Sequence, residues 1–131
     1  MQNQAVWIDQ NEARVFHVDG AAFDEKTVQS ANHHVHRHPH GQLTKTRNHP
    51  ADEARFFDEV LARLGDAGEI LLMGPSVTKL HLLRYAQTHA PKLAVLVVGV
   101  ETADHPTDRQ IVAHVRHYFH DDRPRIGVAA Q

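Results

Sequence analysis

The stretch A-V-W-I-D-Q-N-E-A-R-V-F-H-V, residues 5 to 18, decides the fold. It holds two short β-branched and aromatic runs, Ala5 to Asp9 and Ala13 to Val18. Only Gln10-Asn11-Glu12 separates them, a spacing that suits an antiparallel hairpin. Asp19-Gly20 supplies the next turn. Ala22 to Ser30 is expected as a third strand, although Phe23, Thr27 and Val28 alternate poorly around Asp24-Glu25-Lys26. Three antiparallel strands therefore open the chain.

Beyond them the apolar period changes from two to helical. In Ala51 to Leu64, Phe57, Val60, Leu61 and Leu64 share one side with Phe56, and Asp52, Glu53, Arg55, Asp58 and Glu59 lie mostly on the other. Pro50 and the two early carboxylates mark the start of this helix. Glu69 to Met73 reads as a buried strand and Gly74-Pro75 as a turn. Ser76 to His89 reads as a helix with Val77, Leu80, Leu83 and Tyr85 inward. Leu93 to Val100 is the most apolar run in the chain, as expected of a central strand covered on both faces. Pro106 opens a last helix to about His120, with Ile111, Val112, Val115 and Phe119 on its apolar side. Residues 121–131 are expected to fray.

The order β-β-β, loop, α-β-α-β-α implies a single α/β domain over residues 1–131: a mixed five-stranded sheet in a ribonuclease-H-like three-layer sandwich. The loop before the first helix is Ala31 to Pro50, A-N-H-H-V-H-R-H-P-H-G-Q-L-T-K-T-R-N-H-P. It carries six of the chain's 13 histidines with Arg37, Lys45 and Arg47, and no acidic residue occurs from Lys26 to Ala51. Pro39, Gly41 and Pro50 punctuate it and no apolar period runs through it, so it is expected as a long exposed loop.

Composition narrows the classes. Hydrophobic residues at 41% and charged residues at 23% suit a soluble globular domain, and no apolar run approaches the ~20 residues of a membrane helix. The N-terminus has no basic segment followed by an apolar core, so a cytoplasmic protein is expected. With no cysteine, disulfides, thiol catalysis and sulfur-ligated zinc are excluded. A formal charge of -2 does not mark the whole molecule as a nucleic-acid binder, and no DNA partner is expected. Thirteen histidines make that charge strongly pH-dependent.

Four pieces, in order, resemble a known family: A-V-W-I-D-Q-N-E-A-R-V-F at 5 to 16, H-G-Q at 40 to 42, I-L-L-M-G-P-S-V-T-K-L at 70 to 80, and V-V-G-V-E-T-A-D-H-P-T-D at 97 to 108. The sequence resembles the middle domain of the eukaryotic and archaeal peptide-chain release factors and of Pelota. It is still more similar to small stand-alone bacterial relatives labelled translational machinery proteins. The resemblance implies a ribosome or tRNA partner. In the release factors the loop before the first helix ends in Gly-Gly-Gln, whose glutamine helps water to attack the peptidyl-tRNA ester. Here Gly41 and Gln42 match, but His40 replaces the first glycine and brings a ring and a left-handed-conformation penalty on the order of 1 kcal/mol. The codon-reading and partner-binding domains have no counterpart in 131 residues.

The first expectation is therefore a non-enzymatic, translation-associated module that binds RNA through Arg37, His40, Gly41, Gln42, Lys45 and Arg47, by phosphate attraction and histidine stacking. A second is metal uptake, zinc or nickel, by His34, His36, His38 and His40, whose alternation projects them one way in an extended chain. Such uptake is expected to be adventitious, and no dedicated cofactor is expected. A third is residual peptidyl-tRNA hydrolysis through Gln42.

Other residues have structural readings. Gly74-Pro75-Ser76 with Lys79 is a strand-to-helix turn, with a phosphate pocket as the alternative. Asp104 or His105 is expected to cap the last helix. Asp9 ends the first strand where metal-dependent nucleases carry a carboxylate, with Asp52, Glu53 and Asp104 as the candidates to join it. His114 and His117 are expected at the surface.

Overall fold

The computed structural model describes residues 3–31, 50–65 and 68–119. Its elements are β1 (Asn3–Ile8), β2 (Glu12–Asp19), β3 (Ala22–Gln29), α1 (Pro50–Ala62), β4 (Ile70–Gly74), α2 (Thr78–His89), the single turn α3 (Pro91–Ala94), β5 (Val97–Thr102) and α4 (Asp108–His117). They form one open five-stranded sheet in the order β3-β2-β1-β4-β5. The hairpin partners β1, β2 and β3 are antiparallel, whereas β4 and β5 run parallel to β1.

The sheet is mixed because of its connections: tight turns join the first three strands, and helices cross over between the rest. β1 is the axis, with all six residues buried. Its side chains alternate between two apolar layers. Val6 and Ile8 pack with Ala13, Val15, Ile70 and Leu72 beneath Phe56, Phe57, Val60 and Leu61 of α1 and Leu82 and Ala86 of α2. Ala5 and Trp7 pack with Phe16, Val18, Leu71 and Met73 against Ile111, Val112 and Val115 of α4, and Phe119 joins them. Helices thus cover both faces. α1 and α2 are joined where Phe57 meets Tyr85 at 5.5 Å between centroids and the Tyr85 hydroxyl donates to Asp58 at 2.6 Å. Arg116 of α4 donates to the Gly20 and Ala21 carbonyls at 2.8 and 2.7 Å, tying that helix to the β2–β3 turn.

Three details depart from the sequence-based expectation. The run Leu93 to Val100 is not a doubly covered central strand: its first residues complete α3, and the rest begins β5, which lies at the sheet edge. Val95, the C-cap of α3, is 78% exposed, and Val98 of the edge strand is 42% exposed. In α2, the inward residues are Thr78, Lys79, Leu82 and Ala86, while Val77 (56%) and Leu80 (48%) face solvent. The expected apolar set was therefore rotated about the helix, and only Leu83 and Tyr85 of it reach the core. Third, β3 is a full eight-residue strand, paired from Glu12↔Gln29 to Asp19↔Ala22. Its alternation is weak because it is an edge strand whose one buried residue is Val28.

Candidate functional site

Arg37, His40, Gly41, Gln42, Lys45 and Arg47, with His34, His36 and His38, lie outside the described residues. So does the expected fraying of residues 121–131. The described residues define the place from which segment 32–49 leaves and to which it returns. Asp9 follows β1, and its Oδ1 accepts from the Asn11 and Glu12 backbone N–H groups at 2.8 and 2.9 Å. A carboxylate closing its own turn in this way fixes the β1–β2 connection. Ser30 then ties the end of β3 to that turn: its N–H donates to Asn11 O at 2.9 Å and its hydroxyl to Gln10 O at 2.7 Å. The chain leaves at Ala31 and re-enters at Pro50, the first residue of α1.

Beside this root lies a cleft of ≈ 100 Å³ lined by Gln10, Ser30, Ala31, Asp52, Glu53, Phe56, Phe57, Val77, Thr78 and His81. It sits at the carboxyl ends of β1 and β4, where the N-terminal turns of α1 and α2 come together. Crevices at the carboxyl ends of parallel strands are the common ligand position in open α/β sheets. Asp52 and Glu53 were expected at the start of α1. The participation of Ser30, Thr78 and His81 has no sequence signal, because Ser30 follows β3 whereas Thr78 and His81 come from α2, far away in sequence.

A second cluster occupies the next stretch of the same rim. His105 stands with Nε2 3.4 Å from Asp9 Oδ2 and Nδ1 3.0 Å from Asp104 Oδ1, and its ring lies 5.0 Å from that of Trp7. The Asp104 carboxylate holds its pKa above the ordinary histidine value; partial loss of hydration opposes this and Asp9 adds to it. Trp7 is buried, donates Nε1–H to Ala103 O at 3.1 Å, and carries the Arg14 guanidinium 4.6 Å above its ring. Arg14 also donates to Asp108 Oδ1 at 2.7 Å and to Pro106 O at 3.1 Å. Arg14 thereby docks the β5–α4 connection on the sheet.

The cap of α4 is Thr107, which forms a reciprocal capping box with Gln110; His105 faces Asp9 instead, and Asp104 pairs with His105. The capping hydroxyl lies closer to the helix than the sequence reading placed it. Lys79 is buried and donates to Ser76 O at 2.6 Å. Ser76 does not cap α2, whose N-cap is Val77 with no side-chain hydrogen bond. His114 is half-buried, against Glu101 at 2.5 Å. Asp9 does not gather Asp52, Glu53 and Asp104: the first two line the cleft and the third holds His105. Among the described residues no three histidines or carboxylates converge as metal ligands, and no helix is long and apolar enough to cross a membrane.

No family model matches the sequence, and no curated protein matches it. Solved structures do. The Pelota protein of Thermoplasma acidophilum superimposes with a TM-score of 0.60 at 22% identity, over 85% of this chain and 30% of that one. Archaeoglobus fulgidus Pelota gives 0.55 at 18% identity, over 98% and 39%. An archaeal translation termination factor gives 0.54 at 8% identity, over 98% and 42%. This chain spans less than half the length of each. Its mixed five-stranded α/β sheet is thus a Pelota-like and termination-factor-like fold.

Proposed function

We propose that this chain is a release-factor-related, translation-associated module with the ribonuclease-H-like form of the middle domain. It contacts the ribosome or a tRNA through Arg37, His40, Gly41, Gln42, Lys45 and Arg47. The observation that carries this reading is the likeness in fold to a translation termination factor over 98% of this chain, alongside the likeness to two Pelota proteins. The root at Ala31 and Pro50 supports it: the hydrogen-bonded turn at Ser30 stands at the base of a histidine-rich stretch of sequence that is basic and free of carboxylates. Lys and Arg attract phosphate, and imidazoles stack on bases and gain charge on protonation.

Co-sedimentation with ribosomes across a salt series tests the proposal. Three phosphate contacts should weaken binding about twentyfold or more between about 50 and 200 mM salt. Replacing Arg37, Lys45 and Arg47 together by alanine should abolish pelleting and flatten the salt dependence. Pelleting that the triple substitution leaves unchanged overturns the assignment.

A further inference from the structure

The two edges of the sheet are built differently. β3, at one edge, carries Asp24, Glu25 and Lys26 at its middle, and charge along an edge discourages pairing with another chain. β5, at the other edge, runs V-V-G-V-E-T, and its one charged residue, Glu101, is engaged by His114 of α4 at 2.5 Å. No charge lies along Val97 to Val100. The valines there are open to solvent: Val98 is 42% and Val100 37% exposed, and Val95, just before the strand, 78%.

The pairing with β4 fixes which backbone groups are left for a partner. Ala103 N–H donates to Gly74 O at 3.0 Å, so at the Gly74↔Thr102 pair it is Gly74 that bonds across the parallel ladder. Alternation gives the same role to Leu72 at the Leu72↔Val100 pair, and the N–H and C=O of Val100 therefore point away from β4. The irregularity in register lies between Ile70 and Leu71, and the pairs from Leu71↔Gly99 to Gly74↔Thr102 stay in step. From the α4 side the Tyr118 hydroxyl donates to Val98 O at 3.3 Å and steadies the strand.

This strand is complementary to itself. An antiparallel pair centred on Val100 would exchange two N–H···O=C bonds between the two Val100 residues. It sets Val98 against Thr102 of the copy, and β-branched residues make favourable cross-strand pairs. Glu101 then meets Gly99 of the copy, so no like charges oppose each other, whereas a register centred one residue later would bring the two Glu101 carboxylates together.

We propose that β5 pairs antiparallel with β5 of a second copy about a two-fold axis through Val100, joining the two sheets into one. The pairing stands independently of any RNA contact made by segment 32–49.

Sedimentation velocity of the full chain between about 5 µM and 1 mM tests the proposal. One short strand pair lies at the small, transient end of interfaces, so half-dimerisation is expected at roughly 10–500 µM. Val100→Pro removes only the outward N–H, a change that edge strands tolerate, and should weaken the dimer about tenfold or more. Val100→Lys, which puts a charge at the axis, should do the same. Phe23→Lys, on the opposite edge, should leave association unchanged. Retained NMR dispersion establishes that each variant is folded. Amide exchange gives a second readout: the Val100 N–H should gain protection as concentration rises, and filtered NOEs in a mixed-label sample should join Gly99 Hα to Glu101 Hα of the copy. The proposal is overturned if the chain is monomeric at about 1 mM, or if both Val100 variants dimerise like the parent. Val100 protection that is equal at all concentrations also overturns it, since a segment of the same chain would then cover the edge.

Discussion

Gln4 and Gly65, 61 residues apart, hold each other by two hydrogen bonds: the Gln4 side-chain amide donates to Gly65 O at 2.8 Å, and Gly65 N–H donates to Gln4 Oε1 at 2.6 Å. The glutamine is fully buried in the axial strand β1, so it clips the exit of α1 to the centre of the sheet. Replacing it by leucine keeps the volume but leaves both backbone groups of Gly65 without this partner. Gln4→Leu should lose about 1–3 kcal/mol, read as a lower denaturant midpoint at unchanged slope.

Gly74 ends β4 so close to β1 that a Cβ there would stand 2.3 Å from Ile8 O. The obstacle is backbone, which a rotamer change cannot relieve. Gly74→Ala should cost more than about 2 kcal/mol, whereas Gly65→Ala, whose Cβ would meet nothing nearer than 3.6 Å, should cost far less. Thermal melts of the two variants side by side check this.

Arg14 joins sheet and α4 through three contacts at once: Asp108, Pro106 O and the Trp7 ring. Lysine is a point donor and cannot reproduce that planar fork. Arg14→Lys should destabilise by about 1–2 kcal/mol. A double-mutant cycle with Asp108→Asn should return a coupling of about 0.5 kcal/mol or more.

His105 lies between two carboxylates, and Asp104 chiefly raises its pKa in the folded protein. With the folded value above the unfolded one, its contribution to stability is complete below the unfolded value, near ~6.5, and disappears as pH rises through the folded value. The exposed position keeps that contribution small. An NMR titration of the His105 ring should give a midpoint above that of an unstructured histidine, and Asp104→Asn should move it downward.

Phe57 projects from α1 into the apolar layer on one face of the sheet, where it also meets Tyr85 of α2. Phe57→Ala should remove about 3–5 kcal/mol, with loss of cooperative unfolding as the sign of a molten core.

The hairpin and the crossover order were legible because local pattern encodes them: two β-branched and aromatic runs three residues apart within 5–18, and a helical stripe over Phe57, Val60 and Leu61. The apolar run from Leu93 misled because a short apolar segment suits a buried strand and a helical turn alike, and Pro91 at the first turn of α3 tipped its start toward helix. The face of α2 was misread because Lys79 is buried with its ammonium bonded back to Ser76 O, an arrangement in which a charged residue counts as core. Contacts such as Gln4 to Gly65 and Arg14 to Asp108 have no local signature. The same holds for the cleft, assembled from the ends of β1, β3, α1 and α2. Sequence drew attention to segment 32–49; its root came from the hydrogen bonds of Asp9 and Ser30.

The two apolar layers draw on residues 5–28 and 56–119. Strands β1, β2 and β4 each feed both layers, Val6 and Ile8 on one side of β1 and Ala5 and Trp7 on the other. A slip of β1 by one residue would therefore exchange the two sets of side chains, so the double burial of this strand also locks the register of the sheet.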